Sequence, residues 1–171
     1  MAAWLLCFQH ETGIFRQATG LLAAHEEGCN VTKLTVNNCE LCHSDGGDLL
    51  WQDDVCRIVG VPDPDYPGFC RVILKQHVSE MTDLDNPHRD RLMRAVFATE
   101  SALRELMTPD KINLASFGNV VPHVHWHVLP RFHDDRHFPN PIWGAARQSS
   151  CATRSAPAKA ALSAHLKQIL G

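Results

Sequence analysis

Between Pro122 and Pro130 the chain reads Pro-His-Val-His-Trp-His-Val-Leu-Pro, with three histidines alternating with three apolar residues. A β-strand repeats every two residues, so His123, His125 and His127 fall on one face and Val124, Trp126 and Val128 on the other. The apolar face suits a core, and the other face sets its imidazoles about 7 Å apart along the strand. Such a row can attack phosphorus, protonate a leaving group or hold a metal. His125 has an imidazole on either side, and a neutral imidazole is a competent nucleophile near pH 7, because its free pKa is about 6.5. Just upstream, the Asn119 amide can donate to a phosphate oxygen, and Gly118 permits close approach of backbone N–H groups to an anion. Asn113 suits a ligand contact or a local backbone hydrogen bond equally well.

A histidine row of this kind needs a sheet to carry it. Strands are expected at 49–52, 55–61, 69–74, 112–117 and 123–129, with a turn at Asp45-Gly46-Gly47-Asp48 and a proline-rich loop over 62–68. Asp85-Asn86-Pro87 is a helix start, and Leu92, Met93, Val96, Phe97, Leu103, Leu106 and Met107 recur at helical spacing over 87–107. The end of that helix, with Leu103, Leu106 and Met107, carries more apolar surface than one small sheet needs. A last amphipathic helix, expected to be capped at Ser155-Ala-Pro157, carries Leu162, Leu166, Ile169 and Leu170 and should dock on the core. The fold class is therefore α+β, roughly a five-stranded antiparallel sheet with one long helix plus a C-terminal helix. The chain divides into an N-terminal extension (1–38), a domain (39–144), and a linker with the C-terminal helix (145–171).

The 171 residues suit one domain with a real core. A net charge of −3 argues against a nucleic-acid partner, since that binding rests on phosphate neutralisation. No apolar run has the length of a membrane helix, and the apolar stretch at 2–8 lacks the basic start of a signal peptide. Seven cysteines without a framework read as reduced thiols, pointing to the cytoplasm. Residues 1–30 precede every candidate site residue and are expected to be dispensable for activity. They read as a helix, a flexible extension, or sequence upstream of a start at Val31 or Leu34, which lie just before the domain.

The run from His123 to Leu129 resembles the histidine-triad (HIT) family signature His-φ-His-φ-His-φ-φ, with φ apolar. The resemblance spans about Cys39 to Trp143 and includes Cys39-Glu-Leu-Cys42, the strand end Val72-Ile-Leu-Lys-Gln-His77, Asn113, and Gly118-Asn119. It implies a HIT-like fold and a nucleotide hydrolase or transferase, similar to bacterial diadenosine polyphosphate hydrolases. Such an enzyme acts at the α-phosphate of dinucleoside polyphosphates or nucleoside phosphoramidates through a covalent nucleotidyl-histidine. Carried over by position, His125 is the nucleophile, His127 contacts the phosphate and the scissile atom, and His123 supports the row. Asn119 stands where relatives usually carry glutamine, and Asn113 matches a family asparagine. Phe69 stands where many relatives have histidine, and Asp63 and Asp65 are both candidates for the ribose. No cofactor is required for this chemistry. Cys39 and Cys42 give two thiolates, and tetrahedral zinc needs two more ligands, for which His77 and His123 are the candidates. A redox pair and two inert thiols are the other readings. The resemblance also implies a homodimer, in which Trp143 either reaches the partner's base pocket or packs on its own subunit. Two further readings stay open. One is a non-catalytic nucleotide-binding or interaction module. The other is a zinc-dependent hydrolase with the three histidines as ligands.

Overall fold

The structure, a computed structural model, describes residues 38–149 and 153–171, so the extension before Asn38 lies outside the described residues. A short helix, α1 (Glu40–His43), precedes a meander of β1 (Asp48–Gln52), β2 (Cys56–Gly60) and β3 (Cys70–Leu74). The long helix α2 (Asn86–Met107) then crosses to β4 (Lys111–Ala115), and β5 (His125–Arg131) and α3 (Lys159–Leu170) follow. All sheet pairings are antiparallel, in the order β1-β2-β3-β5-β4, so β5 inserts between β3 and β4. This is the expected five-stranded α+β fold.

One sheet face forms the main core. Ile58, Val72 and Val128 pack there with Leu92, Val96 and Leu103 of α2 and with Leu162, Leu166 and Leu170 of α3. The Asp85 carboxylate accepts from the His88 N–H at the start of α2, and Pro87 occupies the first turn, where a missing N–H costs nothing. Thr108 ends the helix in the left-handed region. The opposite sheet face carries Arg57, Val59, Arg71, Ile73, His125, His127 and Leu129, as the register between neighbouring strands requires. The α1 turn covers its Val59–Ile73 end, where Cys39 and Leu41 are buried against them.

Three details differ from the sequence reading. The strand expected at 123–129 runs from His125 to Arg131. Pairing with β3 stops at Val128, so Pro130 has a strand on one side only, and a residue without an N–H is tolerated there. The Ser155-Ala-Pro157 cap is not made: α3 starts after Ala158 with no side-chain cap, and packing of its leucines holds it instead. Leu103 is buried, and Leu106 and Met107 pack against the core, so the end of α2 is not the surplus apolar surface. That surface lies about two to three turns earlier, at Phe97, which is 55% exposed.

Candidate active site

β5 has neighbours on both sides, and this fixes which way its imidazoles face. His125 lies opposite Ile73 and His127 opposite Arg71 on β3. Their rings meet edge-on with centroids 4.9 Å apart. Both line a cavity of about 410 Å³ together with Arg71, Asn119, Glu40 and the aromatic rings of Phe117 and Trp143. Phe117 and Trp143 meet edge to face at 4.7 Å, and Trp143 stands 5.1 Å from the His127 ring of its own chain. Trp143 thus touches rings of its own chain and is 50% exposed.

His125 Nδ1 donates to the His123 carbonyl at 2.6 Å. A carbonyl only accepts, so the proton is on Nδ1 and the lone pair is on Nε2, on the far edge of the ring. Burial pulls the His125 pKa below its ordinary value. The carbonyl bond works against that shift, while the charge of Arg71 adds to it. Burial, with His125 and Arg71 beside it, pulls His127 down to about 4. Near neutral pH both rings are uncharged. His127 Nδ1 is buried without a hydrogen-bond partner.

His123 departs from the row. It precedes β5, and its ring turns away from the cavity into a cluster with Cys39, Cys42 and His77. Its Nε2 donates to the Leu74 carbonyl at 2.7 Å, which leaves the Nδ1 lone pair facing the cluster. The Nδ1 atom lies 3.4 Å from Cys39 Sγ, 3.5 Å from Cys42 Sγ and 3.3 Å from His77 Nδ1; Cys42 Sγ is 3.3 Å from His77 Nδ1. Zinc at about 2.3 Å from sulfur and about 2.0–2.1 Å from nitrogen gives tetrahedron edges of roughly 3.3–3.8 Å, so the four donors fit that ion. Burial pushes the Cys42 thiol up and Cys39 beside it adds to the shift, so two adjacent thiolates here call for a cation. Buried Arg57 fixes the turn that carries both cysteines by donating to the carbonyls of Leu41, Ser44 and Asp45 at 2.6–2.9 Å. Among the described residues this is the one metal-ligand cluster, and it takes a single triad histidine. Three triad imidazoles converging on one zinc, as the zinc-hydrolase reading requires, are not found.

The other expected residues are placed unevenly. Asn119 is on the cavity wall. Gly118 lines a neighbouring hollow with Ser79, Ser116 and His123; its backbone is ordinary, and a Cβ there would meet Pro122 Cα at 3.6 Å, so the protein itself does not demand glycine. Asn113 shares the triad's sheet face, but its Oδ1 accepts from buried Arg131 at 2.6 Å, and it does not reach the cavity. Asp63 caps the N–H groups of Asp65 and Tyr66, and Asp65 pairs with Arg136, so neither lines the cavity. Phe69 packs 5.6 Å from the His127 ring. Arg71 and Phe117 were missed. Arg71 had a legible signal, a lone charge in the apolar strand run Cys70-Arg-Val-Ile-Leu74.

Comparison with known proteins agrees with this fold. The HIT domain family matches residues 46–134, just over half of the chain. No curated protein matches. Among solved structures, a histidine triad protein from Bradyrhizobium japonicum is 25% identical over 72% of this chain and 92% of its own, with a TM-score of 0.58. One from Marinobacter aquaeolei VT8 is 26% identical over 72% of this chain and 89% of its own, with a TM-score of 0.55. A histidine triad protein from Sinorhizobium meliloti 1021, 20% identical over 74% and 91% at a TM-score of 0.58, shares the fold.

Proposed function

The chain belongs to the HIT domain family, and on that footing we propose that it is a nucleotide hydrolase or transferase acting at the α-phosphate of a nucleoside 5′-phosphate conjugate. The conjugate is a dinucleoside polyphosphate or a nucleoside phosphoramidate. The observation that carries this reading is the His125 Nδ1 bond to the His123 carbonyl, which leaves a neutral Nε2 lone pair at the cavity. Nε2 attacks phosphorus and forms a P–N bond as the bond to the leaving group breaks and that group departs with the electron pair. The proton stays on Nδ1, and its hydrogen bond to the His123 carbonyl supports the positive charge on the ring. Water then attacks phosphorus, the P–N bond breaks, and the pair returns to Nε2 while the water proton passes to solvent. Another nucleophile in place of water makes the protein a transferase. His127, uncharged near neutral pH, serves as an N–H donor to a phosphoryl oxygen, and Asn119 serves as a second donor. His123 serves through its backbone. Asn113, tied to Arg131, and Gly118 support the site from outside the cavity.

No metal is needed for these steps. Zinc fits Cys39, Cys42, His77 and His123, and there it would supply cross-linking of the α1 turn to the start of β5 rather than Lewis-acid chemistry. We also propose a homodimer. Phe97 with Met93 and Ile169 leaves an apolar patch on α2 and α3, and β4 is an open sheet edge. The four described cysteines carry no disulfide, in keeping with a cytoplasmic setting. No described helix is long and apolar enough to cross a membrane.

The test is a panel of adenylated substrates with identification of products. The protein should release the nucleoside monophosphate, and His125→Ala should lose turnover by several orders of magnitude, about the scale of a removed nucleophile, while still binding AMP. Near-normal turnover in His125→Ala removes the covalent mechanism. No monophosphate release across the panel turns the reading to a nucleotide-binding module.

A further inference from the structure

We infer that Arg71 reads the charge of the leaving group, selecting conjugates whose leaving side carries phosphate over those in which it is an amine. This rests on the functional reading above and narrows it.

Arg71 and His127 are directly opposed on antiparallel strands and share a face, which places their Cβ atoms about 4.5–5.5 Å apart. His125 is one same-face step further along β5, opposite Ile73. The guanidinium is therefore displaced from the nucleophile toward the His127 side, and an in-line displacement puts the departing atom across phosphorus from His125 Nε2, away from the nucleophile. Arg71 is the one lysine or arginine on the cavity wall among the described residues.

Its bonding sets it apart from the other arginines of the interior. Arg57 donates to three carbonyls. Arg131 pairs with Asp135 and also reaches Asn113 and Asn140. Arg91 pairs with Asp53. Arg71 has one long contact, NH1 to the Gly46 carbonyl at 3.5 Å, and no carboxylate within ion-pair distance among the described residues. Its Nε is buried with no partner at all. A buried donor left unmade is costly, and an anion in the cavity would complete it. The guanidinium lies 5.6 Å from the Phe69 ring centroid, so the phenyl that replaces the histidine of many relatives is a seat for this cation. Residues 69 and 71 share a sheet face, and the two departures act as one unit. Glu40 is the opposing charge on the wall. It is exposed at the rim, where solvent and salt screen it.

The test compares equilibrium binding of AMP and ATP, which differ only in phosphates beyond the α position, and turnover of diadenosine tetraphosphate against an adenosine phosphoramidate. The protein should bind ATP more tightly than AMP. Arg71→Met should bring that ratio close to one and lower kcat/KM for the tetraphosphate by about 100-fold, as for loss of a charged hydrogen-bond fork, with less than about fivefold loss on the phosphoramidate. Arg71→Lys should recover part of the ATP preference, since it restores the charge without the fork. If Arg71→Met keeps an ATP-to-AMP ratio within about twofold of the unaltered protein, or loses both substrates equally, Arg71 does not read the leaving group. That result leaves the His125 mechanism standing. An unaltered protein that binds neither nucleotide refutes the functional reading and this inference with it.

Discussion

Cutting one ligand from the cysteine–histidine corner should remove one metal ion and a defined share of stability. Four donor pairs there stand 3.3–3.5 Å apart, inside the roughly 3.3–3.8 Å edges of a zinc tetrahedron. Cys42 Sγ touches both imidazoles, so Cys42→Ser breaks two of those edges at once. The main core under α2 and α3 does not involve the corner, so the metal-free protein should remain folded but weaker. A ligand present at 100–1,000 times its dissociation constant stabilises by about 3–4 kcal/mol. For a chain of this size that is a fall in Tm of about 6–15 °C. The assay is elemental analysis of protein purified without a histidine tag, followed by melts before and after removal of metal by a strong chelator. The expected results are one zinc per chain, a fall in Tm on chelation, and none bound by Cys42→Ser, which should melt like the stripped protein. Protein that is metal-free as purified and melts the same with and without added zinc would refute the site.

The depressed His127 pKa makes stability depend on acid. The folded value of about 4 lies below the ordinary one, so the native state takes its proton later than the unfolded chain. Stability present above pH 6.5 is lost as pH falls through 4, by about 1–2 kcal/mol after allowance for solvent in the open cavity. Urea unfolding at pH 7.5 and 4.5 should show a smaller difference for His127→Gln than for the unaltered protein, and equal differences would contradict this. Asp135→Ala should cost about 3–5 kcal/mol in urea unfolding, because Arg131, 1% exposed, loses the one carboxylate partner, at 2.8 Å, that it has among the described residues; a cost under about 1 kcal/mol would refute the account. Light scattering should give twice the chain mass at micromolar concentration and the single mass for Phe97→Glu, and a monomer in both cases would remove the dimer.

The sheet, the long helix and the two cavity imidazoles were legible because each rests on local periodicity and turn chemistry. His123, His125 and His127 announced a strand, and Asp85-Asn86-Pro87 announced a helix start. What stayed hidden depends on where chains end beside one another. Pro130 reads as a strand breaker unless one knows that β3 pairing stops at Val128. Arg131 has the strand's parity, but its role follows from Asp135 and Asn140 on the segment beyond it. Asn113 could not be told from a ligand-binding amide until Arg131 was seen to hold it. The metal corner lay between: the residue types were visible, but their convergence needs 84 residues of intervening fold between Cys39 and His123.

His123 explains why the alternation of histidines outruns the strand. Its ring faces Cys39, Cys42 and His77, while its carbonyl accepts the hydrogen bond from His125 Nδ1–H. Two demands meet in one residue: a lone pair for a cation on one side and a fixed acceptor for the His125 ring on the other. A β-strand partner would hold that carbonyl in the ladder and leave His125 Nδ1 without it, so the residue has to stand just before β5 begins. Outside the ladder its position needs another anchor. The Leu74 carbonyl and the three neighbouring donors supply one, and Arg57 clamps the turn on which two of those donors sit. Disturbance of the corner therefore reaches His125 through one backbone carbonyl, as a change in how its ring is aimed and which nitrogen carries its proton.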